Sequence, residues 1–245
     1  MKRLIIKTML VLLIQAVVVC LPKIAYSKVP EIQASSIIKQ LNAGKHLCIE
    51  HSIIWGDLDF TKLNNRNKIA GNLTQVFISQ SITFVDCIFL GNIRAYDAKA
   101  GISVEFMHNL SFTGCDFRGD VDFTESIVGG HTFFTRTVFR GDGRFQGTHF
   151  RHKKAYFNET RFEGEALFQN AVFAGDANFL HAVFESSAMF QKTVVGGLFF
   201  LGNAQFNGYA DFTYARAVES IFRYAKFGNR YDFSDSNLNA DQIEY

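Results

Sequence analysis

The sequence is poor in the residues that usually mark a metal-binding or catalytic protein. Its 245 residues include only 2 prolines, 1 tryptophan and 4 cysteines. No Cys-x-x-Cys pair or cysteine–histidine spacing typical of a zinc site occurs, which argues against a structural zinc ion. No histidine stands at a spacing from serine or aspartate that signals a catalytic triad, although residues distant in sequence can meet in a fold. We therefore expect no catalytic residues, no metal ion and no cofactor.

The chain also has little excess charge of either sign. It contains 25 Lys and Arg against 23 Asp and Glu, a formal charge of +2. Lys2, Arg3, Lys7 and Lys23 lie in a first segment of 27 residues without an acid, and the rest holds 21 basic against 23 acidic residues, a charge of −2. A chain this near neutrality lacks the basic surface that binds nucleic-acid phosphates. Nucleic acid is therefore not an expected partner.

Long hydrophobic runs are absent except near the N-terminus. Thr8 to Leu21 is apolar but shorter than a membrane span requires. A basic start precedes it and small residues at positions 25 and 27 follow it, which is typical of a signal peptide. We predict a signal peptide over residues 1–27 and export of a bacterial protein to the periplasm or the medium, with no integral span after cleavage. An uncleaved anchor is one alternative; lipoprotein processing at Cys20 is another, disfavoured because Val19 is too large for such a site.

Phenylalanine is what the sequence has in excess, with 27 copies. From Phe106 onward a large apolar residue recurs after alternately six and five residues, and a small residue stands two places before nearly every one. The large positions are Phe106, Phe112, Phe117, Phe123, Val128, Phe134, Phe139, Phe145, Phe150, Phe157, Phe162, Phe168, Phe173, Phe179, Phe184, Phe190, Val195, Phe200, Phe206, Phe212, Ala217, Phe222, Phe227, Phe233 and Leu238. Residues two apart on a strand point to the same side, so each unit sends one small and one large side chain inward.

Several of the steps of six contain glycine followed by an acidic or amide residue, as in the stretch from Phe117 to Phe123. Such dipeptides predict turns, because glycine tolerates a positive φ and Asp or Asn can bond the local backbone. A helix is excluded, since a period near 5.5 would spread the phenylalanines around its whole circumference. Short strands joined by corners and wound into a solenoid fit the pattern.

These Ala-x-Phe-x-x units resemble the pentapeptide-repeat family in its Phe-rich form, over about residues 52–245. The resemblance implies an all-β fold, a right-handed quadrilateral parallel β-helix with about four units per coil and coils about 4.8 Å apart. The rival is the left-handed triangular β-helix of hexapeptide-repeat acyltransferases. That fold keeps a strict step of six with aliphatic residues inside, and this sequence does neither.

The N-terminal residues predict a cover for the first coil. Pro30 to Ala43 reads as a short helix with Ile37 and Leu41 on one face and Gly44 at its end. Residues 28–51 are thus predicted to form a capping helix and a lead-in strand, followed by the solenoid from residue 52 to 245. Capping elements of this kind keep the end of a repeat array from exposing its core.

Three further places depart from the regular repeat. Residues 61–73 are polar and are predicted to loop out, and residues 97–103 interrupt the register once more. No helix, proline or charged run follows Leu238 to cover the last coil. An uncovered coil exposes strand edges that invite pairing, so we predict a two-fold homodimer through the C-terminal coil.

Two sets of side chains have a possible chemical role beside a simpler structural one. Cys87 and Cys115 occupy small inward positions and are predicted to be buried free thiols, with a disulfide between them as the alternative in an exported protein. Asp120, Asp142 and Asp176 follow glycine in the corners. They could line one edge and hold calcium, but turn formation explains them more simply.

The densest basic cluster surrounds the one step of seven, from Phe150 to Phe157, where the chain is predicted to bulge outward. The candidate binding patch consists of Arg144, His149, Arg151, His152, Lys153 and Lys154. Such a patch could contact an anionic lipid, a polysaccharide or an acidic protein. A solvated corner without a partner is the simpler interpretation.

The favoured function is a non-catalytic exported scaffold or protein-interaction module whose partner is an unknown protein or envelope component. An extracytoplasmic enzyme acting on polysaccharide is the alternative from another class. Such an enzyme needs long loops to wall a cleft, and residues 106–238 have almost none. The resemblance adds a third hypothesis, because some pentapeptide-repeat proteins mimic DNA and bind gyrase. The predicted export and the charge near −2 both oppose it.

Overall fold

A computed structural model describes residues 29–228 and 230–239 of the chain. Within them the chain forms a right-handed parallel β-helix with four faces, as the repeat predicts. No helix of these residues is long and apolar enough to cross a membrane. The predicted signal peptide and its cleavage site before residue 28 lie outside the described residues.

Three sheets make up the four faces, and in each the strands follow one another along the axis. Face I is the nine-stranded sheet of β1 (Glu31–Gln33), β3 (Ile53–Trp55), β8 (Ile88–Phe89), β13 (Asp116–Phe117), β17 (Val138–Phe139), β21 (Arg161–Phe162), β25 (Val183–Phe184), β28 (Gln205–Phe206) and β31 (Lys226–Phe227). Face II is the eight-stranded sheet of β4 (Leu58–Asp59), β9 (Ile93–Arg94), β14 (Val121–Asp122), β18 (Gly143–Arg144), β22 (Ala166–Leu167), β26 (Ala188–Met189), β29 (Ala210–Asp211) and β32 (Tyr231–Asp232).

The remaining sheet has fifteen strands and covers two adjacent faces. Face III consists of β5 (Arg66–Ala70), β6 (Leu73–Ile78), β11 (Ile102–Phe106), β15 (Ile127–Val128), β19 (His149–Phe150) and β23 (Val172–Phe173), with β10 (Tyr96–Asp97) at its side. Face IV consists of β2 (Leu47–Glu50), β7 (Ile82–Val85), β12 (Leu110–Thr113), β16 (Thr132–Phe133), β20 (Lys154–Tyr156) and β24 (Asp176–Asn178). Two longer strands, β27 (Val194–Phe200) and β30 (Arg216–Ile221), run through both faces.

The interior is a column of phenylalanine rings. Phe157 and Phe179 lie one coil apart with ring centroids 4.9 Å apart and planes 7° from parallel. Phe168 meets Phe179 edge-on within the column, at 5.3 Å and 89°. Stacked and edge-to-face pairs are both favoured by the charge distribution of aromatic rings. The rings therefore join each coil to the next one and join the faces of one coil to each other.

Buried hydrogen bonds between coils are added by threonines at four small inward positions, Thr137, Thr148, Thr160 and Thr193. The hydroxyl of Thr160 donates to the carbonyl oxygen of Phe134 at 2.7 Å, and that of Thr193 donates to Phe168 at 2.8 Å. A buried hydroxyl without a partner would cost free energy. The bond to the preceding coil lets threonine replace alanine in the core.

The wider corners use glycine for a different reason from the predicted one. Positive φ values occur at the tight corners, on residues such as Glu125 (φ 51) and Arg136 (φ 56), which are not glycine. At the wider corners a Cβ on Gly141 would lie 2.8 Å from the carbonyl carbon of Gly119 in the preceding coil. The wider corners therefore need glycine because successive coils come too close there for a side chain.

Coil length varies by one residue, and the changes occur at corners. Val128 pairs with Phe150 at the regular spacing of 22 residues, Phe150 with Phe173 at 23, and Phe206 with Phe227 at 21. The step of seven is thus an extra residue within positions 151–154. The strands on either side of this corner keep their pairing, so the insertion changes only the corner.

The sequence-based register is wrong at Phe200. In the structure Phe199 pairs with Ala177 and is fully buried, whereas Phe200 pairs with the outward Asn178. Leu201 takes the large inward position of this coil. The column stays filled, because Phe199 is larger than the usual small residue at its position and Leu201 is smaller than the usual phenylalanine at its own.

The N-terminal end is covered by more than the predicted helix. The helix α1 spans Ala34–Asn42 and packs against β4 with buried Ala34, Ile37 and Leu41. It begins four residues later than predicted, because residues 31–33 form β1 and cover the open edge of β3 in parallel register. Gly44 (φ 75) ends it as expected.

Both irregular segments form antiparallel hairpins, the first of them where a loop is predicted. A 3₁₀ turn (Phe60–Lys62) leads into β5, which pairs with β6 and ends face III. Residues Tyr96–Asp97 pair with Ile102–Ser103 in the second hairpin. Both hairpins project on the side of face III, near the first coil.

The other end of the solenoid is partly covered by residues 237–239. The side-chain amide of Asn237 accepts a hydrogen bond from the backbone N–H of Ala217 and donates one to its carbonyl oxygen, both at 2.9 Å. Leu238 is buried beside it. Residues 240–245 lie outside the described part, so the predicted C-terminal dimer contact stays a prediction.

Candidate functional site

A groove of about 470 Å³ lies between the two hairpins and the outer surface of face III. We call it the hairpin groove. Its lining residues are Ile69, Leu73, Gln75, Tyr96, Gly101, Ile102, Ser103, Glu125, Ile127, His149 and Arg151. A concave, largely apolar surface with a few polar groups is the usual form of a binding site.

Local turn chemistry explains the walls of this groove. In the first hairpin the chain turns at Gly71, whose φ of 54 suits glycine. In the second, the Oδ1 atom of Asp97 accepts hydrogen bonds from the backbone N–H groups of Lys99 and Ala100 at 3.0 and 3.1 Å. This arrangement is an Asx turn, and it fixes the loop before β11.

The apolar part of the groove is exposed to solvent. Ile69 and Leu73, which flank the turn of the first hairpin, are 52% and 53% exposed. Tyr96, Ile102 and Ile127 continue this surface across the second hairpin and onto β15. Exposed aliphatic side chains that line a concave surface are typical of a contact site for another molecule.

The polar side of the groove has one unneutralised acid. The Nη1 atom of Arg151 donates to the Oε1 atom of Glu105 at 2.9 Å, so that pair is neutral. Glu125 has no ion-pair partner among the described residues. His149 lies beside it, on the outer surface of β19. The groove therefore combines an apolar floor with a free carboxylate.

The structure distributes the predicted patch over three places. His149 and Arg151 line the hairpin groove. His152, Lys153 and Lys154 form the corner between faces III and IV, where both lysines are exposed. The predicted bulge is thus present, but it faces away from face II, which carries the sixth residue of the patch.

That sixth residue, Arg144, lies on face II in a local charge network. Its guanidinium donates to Asp120 at 2.8 Å and to Asp142 at 2.7 Å. The hydrogen bond that Arg144 donates to Asp120 raises the pKa of Arg144. Partial burial raises the pKa of Asp120, but the bonds from Arg144 and from the backbone N–H of Asp142 outweigh it, and the net shift is downward. Arg144 is therefore occupied within the protein.

The corner aspartates form a ladder of backbone contacts. The Oδ1 atom of Asp120 accepts the N–H of Asp142 at 3.0 Å, and that of Asp142 accepts the N–H of Glu165 at 3.1 Å. Asp176 lies at the opposite corner, where it accepts the N–H of Leu198 at 3.0 Å. The three aspartates do not share one edge. Among residues 29–228 and 230–239, no group of three or more His, Cys, Asp or Glu is placed to hold a metal ion.

The inward cysteines are buried free thiols in adjacent coils. The Sγ atom of Cys87 donates to the carbonyl oxygen of Val85 at 3.4 Å, and that of Cys115 donates to Phe84 at 3.7 Å. Burial raises the pKa of the Cys115 thiol. These contacts agree with the prediction that both residues act as small core side chains.

Two features of this surface were not found from the sequence. The walls of the hairpin groove come from residues 66–73 and 96–103, where the sequence predicts only a loop and an interruption of the repeat. His131 and His152 meet at the III–IV corner, although they belong to different coils. The seven-residue step was the one signal that could have directed attention to this corner.

Comparison with known proteins agrees with the repeat. Residues 145–194 match a family model described as pentapeptide repeats (9 copies). No curated protein matches the chain. The matched segment includes the 23-residue coil and its inserted corner, so the extra residue leaves the repeat recognisable.

Proposed function

Because the chain is a pentapeptide-repeat protein, we propose that it is an exported, non-catalytic scaffold that binds a partner protein through the hairpin groove. Proteins built from these repeats are generally non-catalytic. The observation that carries the proposal is the groove itself, an exposed apolar surface that two hairpins build outside an otherwise regular solenoid.

The chemistry of the groove indicates the kind of segment it would bind. Ile69, Leu73 and Ile127 offer an apolar floor for an aliphatic or aromatic side chain. Glu125 offers a free carboxylate at the side of that floor, since Arg151 is already paired with Glu105. Charge complementarity then favours a partner segment that carries a Lys or Arg next to its apolar side chain.

The charges on face I favour this scaffold over a DNA mimic. The guanidinium of Arg140 bridges Asp116 at 2.8 Å and Glu163 at 3.2 Å, and Arg161 continues the series to Glu185 at 2.6 Å. Acids and bases thus alternate along the axis of this face. A DNA mimic would need a continuous acidic strip instead.

Export is supported by the basic and apolar pattern of residues 1–27. Fractionation of the native host should find the mature chain outside the cytoplasm, beginning near residue 28. Full-length protein in the cytosol with Met1 intact would contradict export. It would leave the groove proposal to be tested separately.

The test of the groove uses Leu73→Asp, Glu125→Gln and a matched surface variant, Val218→Asp. Val218 is 79% exposed and lies on β30, outside the groove. Partners captured from envelope extracts should be identified, and their candidate segments should be measured as peptides against the purified protein. A peptide with an apolar side chain beside a Lys or Arg should bind. Its affinity should fall at least tenfold with Leu73→Asp, fall less with Glu125→Gln, and stay unchanged with Val218→Asp.

Two outcomes would contradict the proposal. Equal binding by all four proteins would place the contact elsewhere. Equal losses for the Leu73 and Val218 variants would mean that any added charge weakens a non-specific surface.

We also propose that the protein self-associates through its C-terminal coil. Phe227, Tyr231 and Phe233 are only partly buried at this end of the described chain. Light scattering at tens of micromolar should find a dimer that Phe233→Asp dissociates. A monomer unaffected by the substitution would contradict this contact.

A further inference from the structure

The inserted corner brings two imidazoles of successive coils into contact. The ring centroids of His131 and His152 are 3.7 Å apart and their planes are tilted by 46°. Stacked phenylalanines of the core, such as Phe139 and Phe162, are 4.6 Å apart. The two histidines are therefore packed more closely than rings in the hydrophobic column.

Neither ring is in an environment that favours a positive charge. The Nδ1 atoms of His131 and His152 are shielded from solvent, and neither has a hydrogen-bond partner among the described residues. An imidazolium needs acceptors for both of its N–H groups. Burial, followed by the neighbouring His131 and Lys153, lowers the pKa of His152.

The surrounding charged groups do not compensate for a proton on the pair. Lys153 and Lys154 come from the same corner and from β20, and His108 comes from the corner of the preceding coil. Asp176 of β24 is the acid that pairs with this segment, in register with Lys154. Its Oδ1 atom accepts the N–H of Leu198 in the following coil.

The corner also leaves the rings little room to separate. A Cβ on Gly130 would lie 2.5 Å from the backbone nitrogen of Asn109, in the coil before. Gly175 lies in the coil after, and a Cβ on it would be 2.7 Å from the Cα of Lys153. The backbone N–H of Asp176 donates to the carbonyl oxygen of Lys153 at 2.7 Å. Moving one imidazole away from the other therefore displaces the corner itself.

We propose that the His131–His152 pair is a proton-sensitive latch, which holds the III–IV corner closed while both rings are neutral and opens it when one takes up a proton. Opening would move Lys153 and Lys154 away from β24. The histidine pair thus couples the position of two exposed cations to pH, in the range where histidine titrates.

The sign of the effect follows from linkage. Because the pKa of His152 in the folded protein lies below the ordinary value of 6.5, the unfolded chain binds the proton more readily. Well above pH 6.5 the low pKa of His152 does not affect the free energy of unfolding. That free energy falls as the pH drops below 6.5. The equilibrium constant for opening should rise by up to about tenfold per pH unit until the folded pair also binds the proton.

The test is an NMR titration of the imidazole Cε1–H signals between pH 8 and 4, with amide hydrogen exchange of residues 151–154. His152 should titrate below its ordinary value. In His131→Gln, the remaining His152 should titrate at higher pH than in the parent protein, because the neighbouring imidazole is gone. The control His149→Gln should leave the titration of His152 unchanged.

Amide exchange separates a latch from a merely buried pair. Below pH 6, and after correction for intrinsic rates, opening at residues 151–154 should increase in the parent and in the His149 variant. It should not increase in the two glutamine variants of the latch, His131→Gln and His152→Gln. Titration of His152 at or above its ordinary value, or amide exchange at the corner that does not depend on pH in the parent protein, would overturn the proposal.

Discussion

Alanine substitution of two neighbouring phenylalanines tests the register of the coil that runs from Val195 to Phe212. Phe199 is fully buried and lies edge-on to Phe190 at 5.5 Å and to Phe179 at 5.9 Å. Phe199→Ala removes a ring from a close-packed column, which typically costs about 3–5 kcal/mol of unfolding free energy. Phe200 is partly exposed on the outer surface, so Phe200→Ala should cost about 1 kcal/mol.

Both variants replace one phenylalanine by alanine, and the two positions are adjacent. Each variant is therefore the control for the other. Urea denaturation should give the free energies where circular dichroism and tryptophan emission report coincident transitions. For a chain of this size a loss of 3 kcal/mol should lower Tm by about 6–12 °C. A Phe200→Ala cost equal to or above that of Phe199→Ala would show that Phe200 faces the core, as the six-and-five repeat predicts. The observed pairing of Phe199 with Ala177 would then be wrong.

Three other predictions concern the corners. Gly141→Ala should destabilise by about 1–3 kcal/mol in thermal denaturation, because the new methyl group would collide with the backbone of Gly119. Arg136→Gly should change stability by less than about 0.5 kcal/mol, whereas Arg136→Val should lose at least about 1 kcal/mol, because a β-branched residue tolerates a φ of 56 poorly; equal losses would contradict this. The pKa of Asp120 lies below its ordinary value of 3.8, so its stabilising effect is present above that pH and is lost as the pH falls through the folded pKa. Acid denaturation of Asp120→Asn should therefore be less steep below pH 4 than that of the parent, and identical curves would contradict the role of Arg144.

The column and its four faces were predictable because their signal is repeated. A single Phe says little, but the same small-x-large unit recurs from Phe106 to Leu238, and each unit buries its large residue by the same geometry. The register at Phe200 was predicted incorrectly because two phenylalanines and a leucine stand in succession at 199–201. Any of the three could be inward by composition, and the pairing to Ala177 decides between them.

The corners and hairpins were less predictable because their causes lie in other coils. The glycine at position 141 is required by the backbone of Gly119, a residue 22 positions earlier. The walls of the hairpin groove come from residues 66–73 and 96–103, whose antiparallel pairing has no repeat to reveal it. The contact of His131 with His152 depends on the path of an inserted corner, which a period in the sequence does not specify.

The position of the one tryptophan affects how unfolding of this protein will be observed. Trp55 lies on β3 in the first coil and is 44% exposed, at one end of the solenoid. In a stacked array each coil contacts mainly its neighbours, so end coils can fray before the middle unfolds. Tryptophan emission would then report fraying at the N-terminal end, whereas far-ultraviolet circular dichroism would report the whole array. Non-coincident transitions from the two probes would be a property of linear stacking, and a single two-state free energy should not be fitted to either of them alone.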